Sequence, residues 1–275
     1  MKKALLSVMF WIAAAAELNC GIMIFPKYVL LDGENKTAKV HLVNSDDVNL
    51  LRYRIGLKNL KQNHDGGFTE EKLDKDALEH LIKYSPRKVS LGPKGQQTIK
   101  VTVRHFDTLP EGDSVIYLTI AGMPDVQPAK AVESNGETFN ISLTAIHEIA
   151  LPVVVRKGRV NDKGFISSVK KAADFDKDPA LVIRLERAEN KELKNGVVRG
   201  DISVWHEDKM LGFIKNKYIL PGNDYVDTVI KAEGIKELLE AKNAKNATLK
   251  VLFTAPYESG EADVKNIIDE KSFSI

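Results

Sequence analysis

Hydrophobic and polar residues alternate in short runs along most of this chain, and a period of two predicts β-strands rather than helices. The longest run extends from Phe139 to Arg156, where the odd-numbered positions are apolar except for His147. Its second half, 149–155, is apolar on both faces, so we expect that end to be buried and the first half to be partly exposed. A strand of this length exceeds the usual ~5 to 6 residues. It therefore either closes a large sandwich or offers an edge to another protein.

Shorter alternating runs lie on both sides of the long strand. Before it, strands are predicted at 22–31, 37–43, 51–60, 88–91, 98–104 and 115–120. After it, strands are predicted at 165–169, 180–185, 197–205, 211–214, 226–230, 248–254 and 272–275. A helix is predicted at 72–83, and the strands on either side of Gly92-Pro93-Lys94-Gly95 are predicted to form a hairpin.

Many short strands separated by turn residues are typical of immunoglobulin-like sandwiches. The long apolar run stops at Arg156, and the charged, glycine-containing segment after it marks a boundary. We therefore predict an all-β protein with two immunoglobulin-like β-sandwich domains in tandem, the first at 17–157 and the second at 158–275.

The first sixteen residues have the pattern of a cleaved signal peptide. Lys2 and Lys3 precede an apolar run at 4–15, which ends in the small residues Ala14, Ala15 and Ala16. This run is shorter than the ~20 residues that cross a bilayer, and no later segment is apolar enough to do so. We therefore expect an exported, soluble protein that does not span a membrane.

The cysteine content and the net charge limit the kind of protein that this chain can be. Cys20 is the only cysteine, so an internal disulfide is excluded; lipidation at Cys20 is a disfavoured alternative because Asn19 before it is not a small residue. With 40 basic and 38 acidic residues the formal net charge is +2. This balance does not indicate a nucleic-acid partner.

Motifs for catalysis, metals and cofactors are missing from the sequence. The six histidines lack metal-site spacing, and there is neither a Gly-x-Ser-x-Gly elbow nor a phosphate-binding glycine loop. Asp174, Asp176 and Asp178 have the spacing of a calcium loop, but its glycine and distal glutamate are absent, which favours a solvated turn. We expect no metal, no cofactor and no enzymatic activity, although distant carboxylates brought together by folding would leave no trace in a sequence.

Several separated segments then resemble one family, the periplasmic pilus chaperones of the chaperone/usher pathway. The segments are Leu31-Asp32-Gly33, the run from Tyr84 to Leu91 followed by Pro93-Lys94-Gly95, the run from Leu109 to Leu118 leading to Met123-Pro124, and the long strand itself. They occur in the family's order along the first predicted sandwich. The second predicted sandwich resembles the family only in being a β-domain of fitting size.

The resemblance implies a function for the long strand. In this family it pairs with a pilus subunit whose immunoglobulin-like fold lacks its last strand, and the subunit then passes to an outer-membrane usher. The donor side chains would be Phe139, Ile141, Leu143 and Ala145. The implied location is the periplasm, and the implied partners are pilus subunits and the usher.

The resemblance also implies basic residues that hold the subunit's terminal carboxylate in the cleft between domains. Here the sequence departs from the family, because Tyr28 and Pro152 occupy the expected positions. Lys27, beside Tyr28, is the remaining candidate for the cleft anchor; a solvated strand lysine is the alternative. Asp113 and Arg156 match an acid and an arginine that link the domains, so we expect an inter-domain ion pair.

A second function stays open at this point. An exported two-domain adhesion or carbohydrate-binding protein would have the same composition, with the long strand closing its own sheet. The sequence also leaves open whether the free protein caps its strand by forming a homodimer.

Overall fold

The computed structural model of the chain describes residues 21–72, 75–124, 146–172, 180–231, 234, 237–238, 247–256 and 266–274. The fold is nearly all β and consists of two immunoglobulin-like sandwiches in tandem, which confirms the predicted fold class. The predicted signal peptide lies outside the described residues. Within the described ranges, no helix combines the length and the apolar character that crossing a membrane requires.

The first sandwich has two facing sheets and one short helix. Its elements are β1 (Ile22–Phe25), β2 (Val29–Leu31), β3 (Thr37–Asn44), β4 (Leu51–Gln62), β5 (Phe68–Glu71), α1 (Lys75–Leu81), β6 (Ile82–Ser85), β7 (Lys88–Leu91), β8 (Gln96–Val103), β9 (Gly112–Gly122) and β10 (Glu148–Lys157). One sheet has the order β1-β3-β8-β6. The other has the order β2-β10-β9-β4-β5, and β7 also pairs with β4.

The alternation in sequence becomes a two-sided sheet in the structure. Val40 and Leu42 of β3 and Ile99 of β8 are fully buried, while the polar residues that alternate with them face outward. Leu118 of β9 and Val153 of β10 cover them from the opposite sheet. Burying one such side chain contributes ~1.5 to 3 kcal/mol, so the two inner faces hold the sheets together.

The run at 22–31, predicted as one strand, is two strands in different sheets. β1 pairs antiparallel with β3, whereas β2 pairs parallel with β10. Pro26 lies between them and has no N–H for a ladder. The chain therefore crosses from one sheet to the other within residues 26–28, which places the edges formed by β1 and β2 on the same side of the sandwich.

The predicted helix at 72–83 is wrong at its C-terminal end. The helix stops at Leu81, and Ile82 begins β6, which pairs with β8. In β6, Ile82 and Tyr84 are buried while Lys83 and Ser85 are exposed. In residues 82–85 the alternation of buried and exposed side chains fits a strand, although the spacing of the apolar residues before them fits a helix.

The predicted hairpin around Gly92–Gly95 is also wrong. β7 pairs with β4 in one sheet, and β8 pairs with β3 and β6 in the other. Asn44, which is fully buried, fixes the crossing: its amide nitrogen donates to the carbonyls of Leu91 and Gly92 at 3.2 and 2.9 Å. The turn is therefore an arch between sheets, held by a polar side chain from a neighbouring strand.

The second sandwich is formed by the remaining strands. They are β11 (Val160–Asn161), β12 (Gly164–Lys171), β13 (Ala180–Arg187), β14 (Lys194–Asn195), β15 (Val198–His206), β16 (Lys209–Ile219), β17 (Tyr225–Lys231), β18 (Thr248–Thr254) and β19 (Ile267–Ser274). A sheet β12-β13-β17 faces a sheet β16-β15-β18-β19, and β11 pairs with β14. Among the described strands, every pairing stays on one side of Gly158, which supports the boundary that we propose there.

A small apolar cluster joins the two sandwiches. Tyr117 and Val154 of the first pack with Val197 and Leu220 of the second, and all four are buried. Gln62, at the end of β4, is buried beside them. Its amide nitrogen donates to the Tyr218 carbonyl at 2.7 Å, and its amide oxygen accepts from the Leu220 N–H at 2.9 Å.

A buried arginine organises the second sandwich where it meets the first. Arg187 is 8% exposed, and its guanidinium donates to five backbone carbonyls. The acceptors belong to Asn161, Gly196, Ile219, Leu220 and Asn223. Burial lowers the pKa of Arg187. Only a planar group with five donors can satisfy this many carbonyls at once.

Candidate functional site

The candidate site begins with the unequal pairing of β10. On one side β10 pairs with β9 over its whole length, from Glu148 to Lys157. On the other side it pairs with β2 only from Val153 to Val155. Among the described residues, no strand pairs with that side of β10 from 148 to 152. Its N–H and C=O groups form an open edge, which is a template for another strand.

The side chains along this edge change from buried to exposed. Leu151 and Val153 are buried in the first sandwich, whereas Ile149 is 40% exposed and Ile146 is 60% exposed. The exposed end therefore carries large apolar side chains beside the polar residues His147 and Glu148. Exposed apolar side chains beside an unpaired edge are features of a surface that binds an extended segment.

The facing sheet has its own apolar edge on the same side of the sandwich. β1 is the edge strand, and Met23 and Phe25 on its outer face are 57% and 58% exposed. Because the chain reaches β2 within residues 26–28, this edge lies close to that of β10. The sequence analysis did not identify Met23 and Phe25, since Ile22 to Phe25 is apolar throughout and does not indicate which face is exposed.

The predicted donor residues Phe139, Ile141, Leu143 and Ala145 lie outside the described residues. The predicted long strand is corrected in its described part, because regular β10 begins at Glu148, after Ile146 and His147. The ladder ends there because β9 ends at Gly122, whose N–H donates to the His147 carbonyl at 2.9 Å. The expected burial at the other end of the strand agrees with the structure.

Lys27 is exposed at the rim of a cleft between the sandwiches. A cavity of about 100 Å³ lies there, and it is lined by Lys27 and Tyr28 from the first sandwich and by Arg199 and Lys215 from the second. The Arg199 guanidinium lies 4.3 Å from the centre of the Tyr28 ring. Burial, assisted by the charge of Asp113, raises the pKa of Tyr28 to about 12. Pro152, at the other departure from the family pattern, is buried.

Asp113 and Arg156 lie in direct contact, but they are opposite residues on β9 and β10 of the first sandwich, so the expectation that the pair itself joins the two domains is wrong. Arg156 Nε and Nη2 donate to Asp113 Oδ1 and Oδ2, both at 2.8 Å, and Arg156 Nη1 reaches Asp162 at 2.9 Å. The N–H of Val197, in the second sandwich, donates to Asp113 Oδ2 at 2.8 Å. The hydrogen bonds from Arg156 to Asp113 raise the pKa of the arginine. One fully buried carboxylate thus contacts both sandwiches.

The cations of the cleft come mainly from the second sandwich, and no sequence pattern pointed to them. Arg199 lies on β15, and Lys215 lies on β16. A basic residue on a strand is an ordinary surface residue in a sequence, and only the packing of the two sandwiches brings these two into a cleft. Within the described part of the chain, no group of three or more His, Cys, Asp or Glu residues could hold a metal ion.

Comparisons with known proteins give matches at the level of structure. No protein-family model and no curated protein matches the chain. The solved structures that match it over most of its length include several chaperones. The YadV chaperone is 18% identical, with 92% of this chain and 99% of that chain covered at a TM-score of 0.44.

Two further structures match to a similar extent. The CupB2 chaperone of Pseudomonas aeruginosa is 8% identical, with coverages of 92% and 98% and a TM-score of 0.43. The CsuC–CsuE chaperone–tip adhesion subunit complex, from the archaic chaperone-usher Csu pili of Acinetobacter baumannii, gives 12% identity, coverages of 93% and 98%, and a TM-score of 0.46.

Proposed function

We propose that this protein is a periplasmic chaperone that binds pilus subunits by donating a strand from the open edge of β10. The single observation that carries the proposal is the unequal pairing of β10, which leaves 148–152 without a neighbour on one side among the described residues. A partner that lacks a strand could pair there, with β10 completing the partner's sheet.

The energetics of such pairing are favourable. Each backbone hydrogen bond contributes a net ~0.5 to 1.5 kcal/mol, and burying an exposed apolar side chain contributes ~1.5 to 3 kcal/mol. Ile146 and Ile149 provide exposed apolar surface on the described part of the edge. The proposed donors Phe139, Ile141, Leu143 and Ala145 would extend the same surface toward the partner.

The identity of the partner follows from the sequence resemblance. The segments from Leu31 to Pro124 resemble pilus chaperones in the order in which they occur, so the proposed partner is a pilus subunit. In the same proposal the protein is exported by its first sixteen residues and delivers the subunit to an outer-membrane usher. It performs no catalysis and needs no cofactor.

The proposed anchor for the end of the partner chain is Lys27. It is exposed and lies at the rim of the cleft with Arg199 and Lys215, so a carboxylate there would meet several cations. This arrangement replaces the basic residues that the family pattern places at Tyr28 and Pro152.

The decisive experiment is coexpression with pilus subunits from the same genome, followed by copurification on a tagged copy of this protein. We expect wild type to retain a subunit and Ile149→Asp to retain at least tenfold less, because a charge at a buried edge costs more than ~1.4 kcal/mol. Ile141→Asp combined with Leu143→Asp tests the proposed donor residues. Val229→Asp is the matched control, since Val229 is 57% exposed on a strand of the second sandwich.

Full subunit yield with both edge variants would reject the proposed use of β10. Binding of a surface glycan by the protein alone, without any subunit, would instead identify an adhesion or carbohydrate-binding protein. Thermal unfolding of each variant shows whether a lost yield reflects binding or folding.

A further inference from the structure

A second cavity, of about 160 Å³, lies where the β4–β5 hairpin meets the mouth of the second sandwich. Gly66 and Phe68 of the hairpin form one wall, and Lys217 on β16 and Thr228 on β17 form the other. Two lysines line this cavity and no carboxylate does. Its charge is therefore positive, and its size suits a ligand of a few heavy atoms.

Lys217 has no partner in this cavity. It is partly buried, and it forms no hydrogen bond or ion pair with any described residue. Burial alone lowers the pKa of its ammonium group. A partly desolvated cation without a counter-charge is costly, and most exposed lysines avoid that cost by extending into water.

Thr228 is the second unsatisfied group. Its side chain is 2% exposed on the inner face of β17, and its hydroxyl has no hydrogen-bond partner. Buried hydroxyls are nearly always hydrogen-bonded, and each exception has a cost. Ile183 opposite it, and Val226 and Ile230 on the same face, are apolar. Core packing alone would be served equally well by valine at this position.

We propose that this cavity is a binding site for one small oxyanion, held by the Lys217 ammonium and the Thr228 hydroxyl. Lysine provides the charge, and the hydroxyl donates one hydrogen bond to an anion oxygen. A carboxylate and a free inorganic phosphate share this chemistry. The site is independent of the β10 edge and does not require that the protein bind pilus subunits.

The cavity lies between the two sandwiches, so an anion bound there would link them. One wall belongs to the first sandwich and the other to the second, so a bound anion contacts both. Close by, the His64 carbonyl accepts a hydrogen bond from the Asp227 N–H, and the His64 ring stacks on Tyr225 with 4.1 Å between centroids. Binding would add to these contacts at the tip of the hairpin.

The test is an NMR titration of the full-length protein with acetate or with inorganic phosphate at constant ionic strength, with chloride as the reference salt. The reporters are the Lys217 side-chain signals, assigned by their absence in Lys217→Met, and the Gly66 amide. We expect saturable shifts with at least one oxyanion, and loss of the Gly66 shift in Lys217→Met. Acetate alone would indicate a carboxylate, and phosphate alone an inorganic anion. Lys209→Met is the matched control on the same strand, outside the cavity, and should bind like wild type.

Thr228→Val separates a ligand role from a structural one. We expect it to weaken anion binding about ten- to a hundredfold, as for one lost hydrogen bond to a charged group. Without anion, its unfolding free energy should equal or exceed that of wild type, because the hydroxyl has no partner to lose. Absence of saturable shifts with either oxyanion, or equal binding by Lys217→Met and Lys209→Met, would overturn the site. Ile149→Asp should bind the anion normally, so failure of the proposed chaperone function would leave this result unaffected.

Discussion

At the scale of single residues, the contact between the sandwiches depends on groups that satisfy several partners at once. Asp113 is an example, because its two oxygens accept from Arg156 and from the Val197 N–H while its side chain is fully buried. Arg156 keeps 23% of its side chain exposed and has Asp162 as a second partner. We therefore expect the stability of the protein to be more sensitive to substitution of the buried Asp113 than to substitution of Arg156.

Asp113→Asn should lower the free energy of unfolding by about 3 kcal/mol, which is the lower end of the range for breaking a buried ion pair. The reason is that Arg156 loses its buried counter-charge while Asp162 remains. Urea unfolding measures the change. Asp162→Asn is the control, since that carboxylate is 46% exposed and should contribute less than ~1 kcal/mol. Equal effects of the two substitutions would show that Asp113 has no special role.

Asp46 predicts a dependence of stability on pH. Hydrogen bonds from the Asn49 side chain and from the N–H groups of Asn49 and Val48 lower the pKa of its carboxyl group. Such a group adds stability that is complete above its unfolded pKa of ~3.9 and is lost as the pH falls through the lower folded value.

Asp46→Asn should therefore be less stable than wild type at neutral pH, and the difference should disappear in strong acid. Unfolding free energies measured across the acid range test this sign. Asp47→Asn is the matched neighbour, because Asp47 is 72% exposed in its pair with Lys94 and should change little. A difference that persists unchanged in strong acid would argue against a contribution from the charge.

At the scale of elements, the period of two located most strands but not their sheets. The runs at 37–43, 180–185 and 248–254 correspond to β3, β13 and β18 with small differences at the ends. Alternation reports which residues share a face, and it does not report which strand lies alongside. The arch between β7 and β8 depends on Asn44, a residue distant in sequence, so a local pattern could not distinguish the arch from a hairpin.

The β4–β5 hairpin gives a prediction at the same scale. Gln62→Leu would leave the Leu220 N–H and the Tyr218 carbonyl without their partner in a buried position. We expect a loss of about 1 to 3 kcal/mol in unfolding free energy, together with a broader distribution of overall dimensions by small-angle X-ray scattering.

Gln97→Leu is the control, since Gln97 is exposed and, among the residues that the structure describes, its side chain bonds just the neighbouring Thr98 carbonyl. If the scattering profiles of the two variants matched that of wild type, the hairpin would not restrict the sandwiches.

At the scale of the whole molecule, the sandwiches meet through a short connection and a dense set of contacts. Only Gly158 and Arg159 separate β10 from β11, and Gly158 has φ +74°, a conformation that favours glycine. In the sequence, the end of the apolar run at Arg156 and the charged, glycine-containing segment after it predict a domain boundary here, which stays a prediction. The Asp113 and Arg156 pair was expected from the family resemblance, whereas the Lys217 and Thr228 cavity needs three elements from both sandwiches and has no local signal.

The continuity of β10 has a consequence for recognition. One unbroken strand starts at the open edge with Glu148, passes through the core at Val153, and reaches the junction at Val154 and Arg156. A slip of one residue would turn every side chain to the opposite face, and the buried apolar residues of β10, its ladder with β9 and the ion pair at Arg156 together oppose it. The contacts at the buried end therefore also fix the register of the exposed end. An incoming strand would meet the side chains of β10 in one defined order.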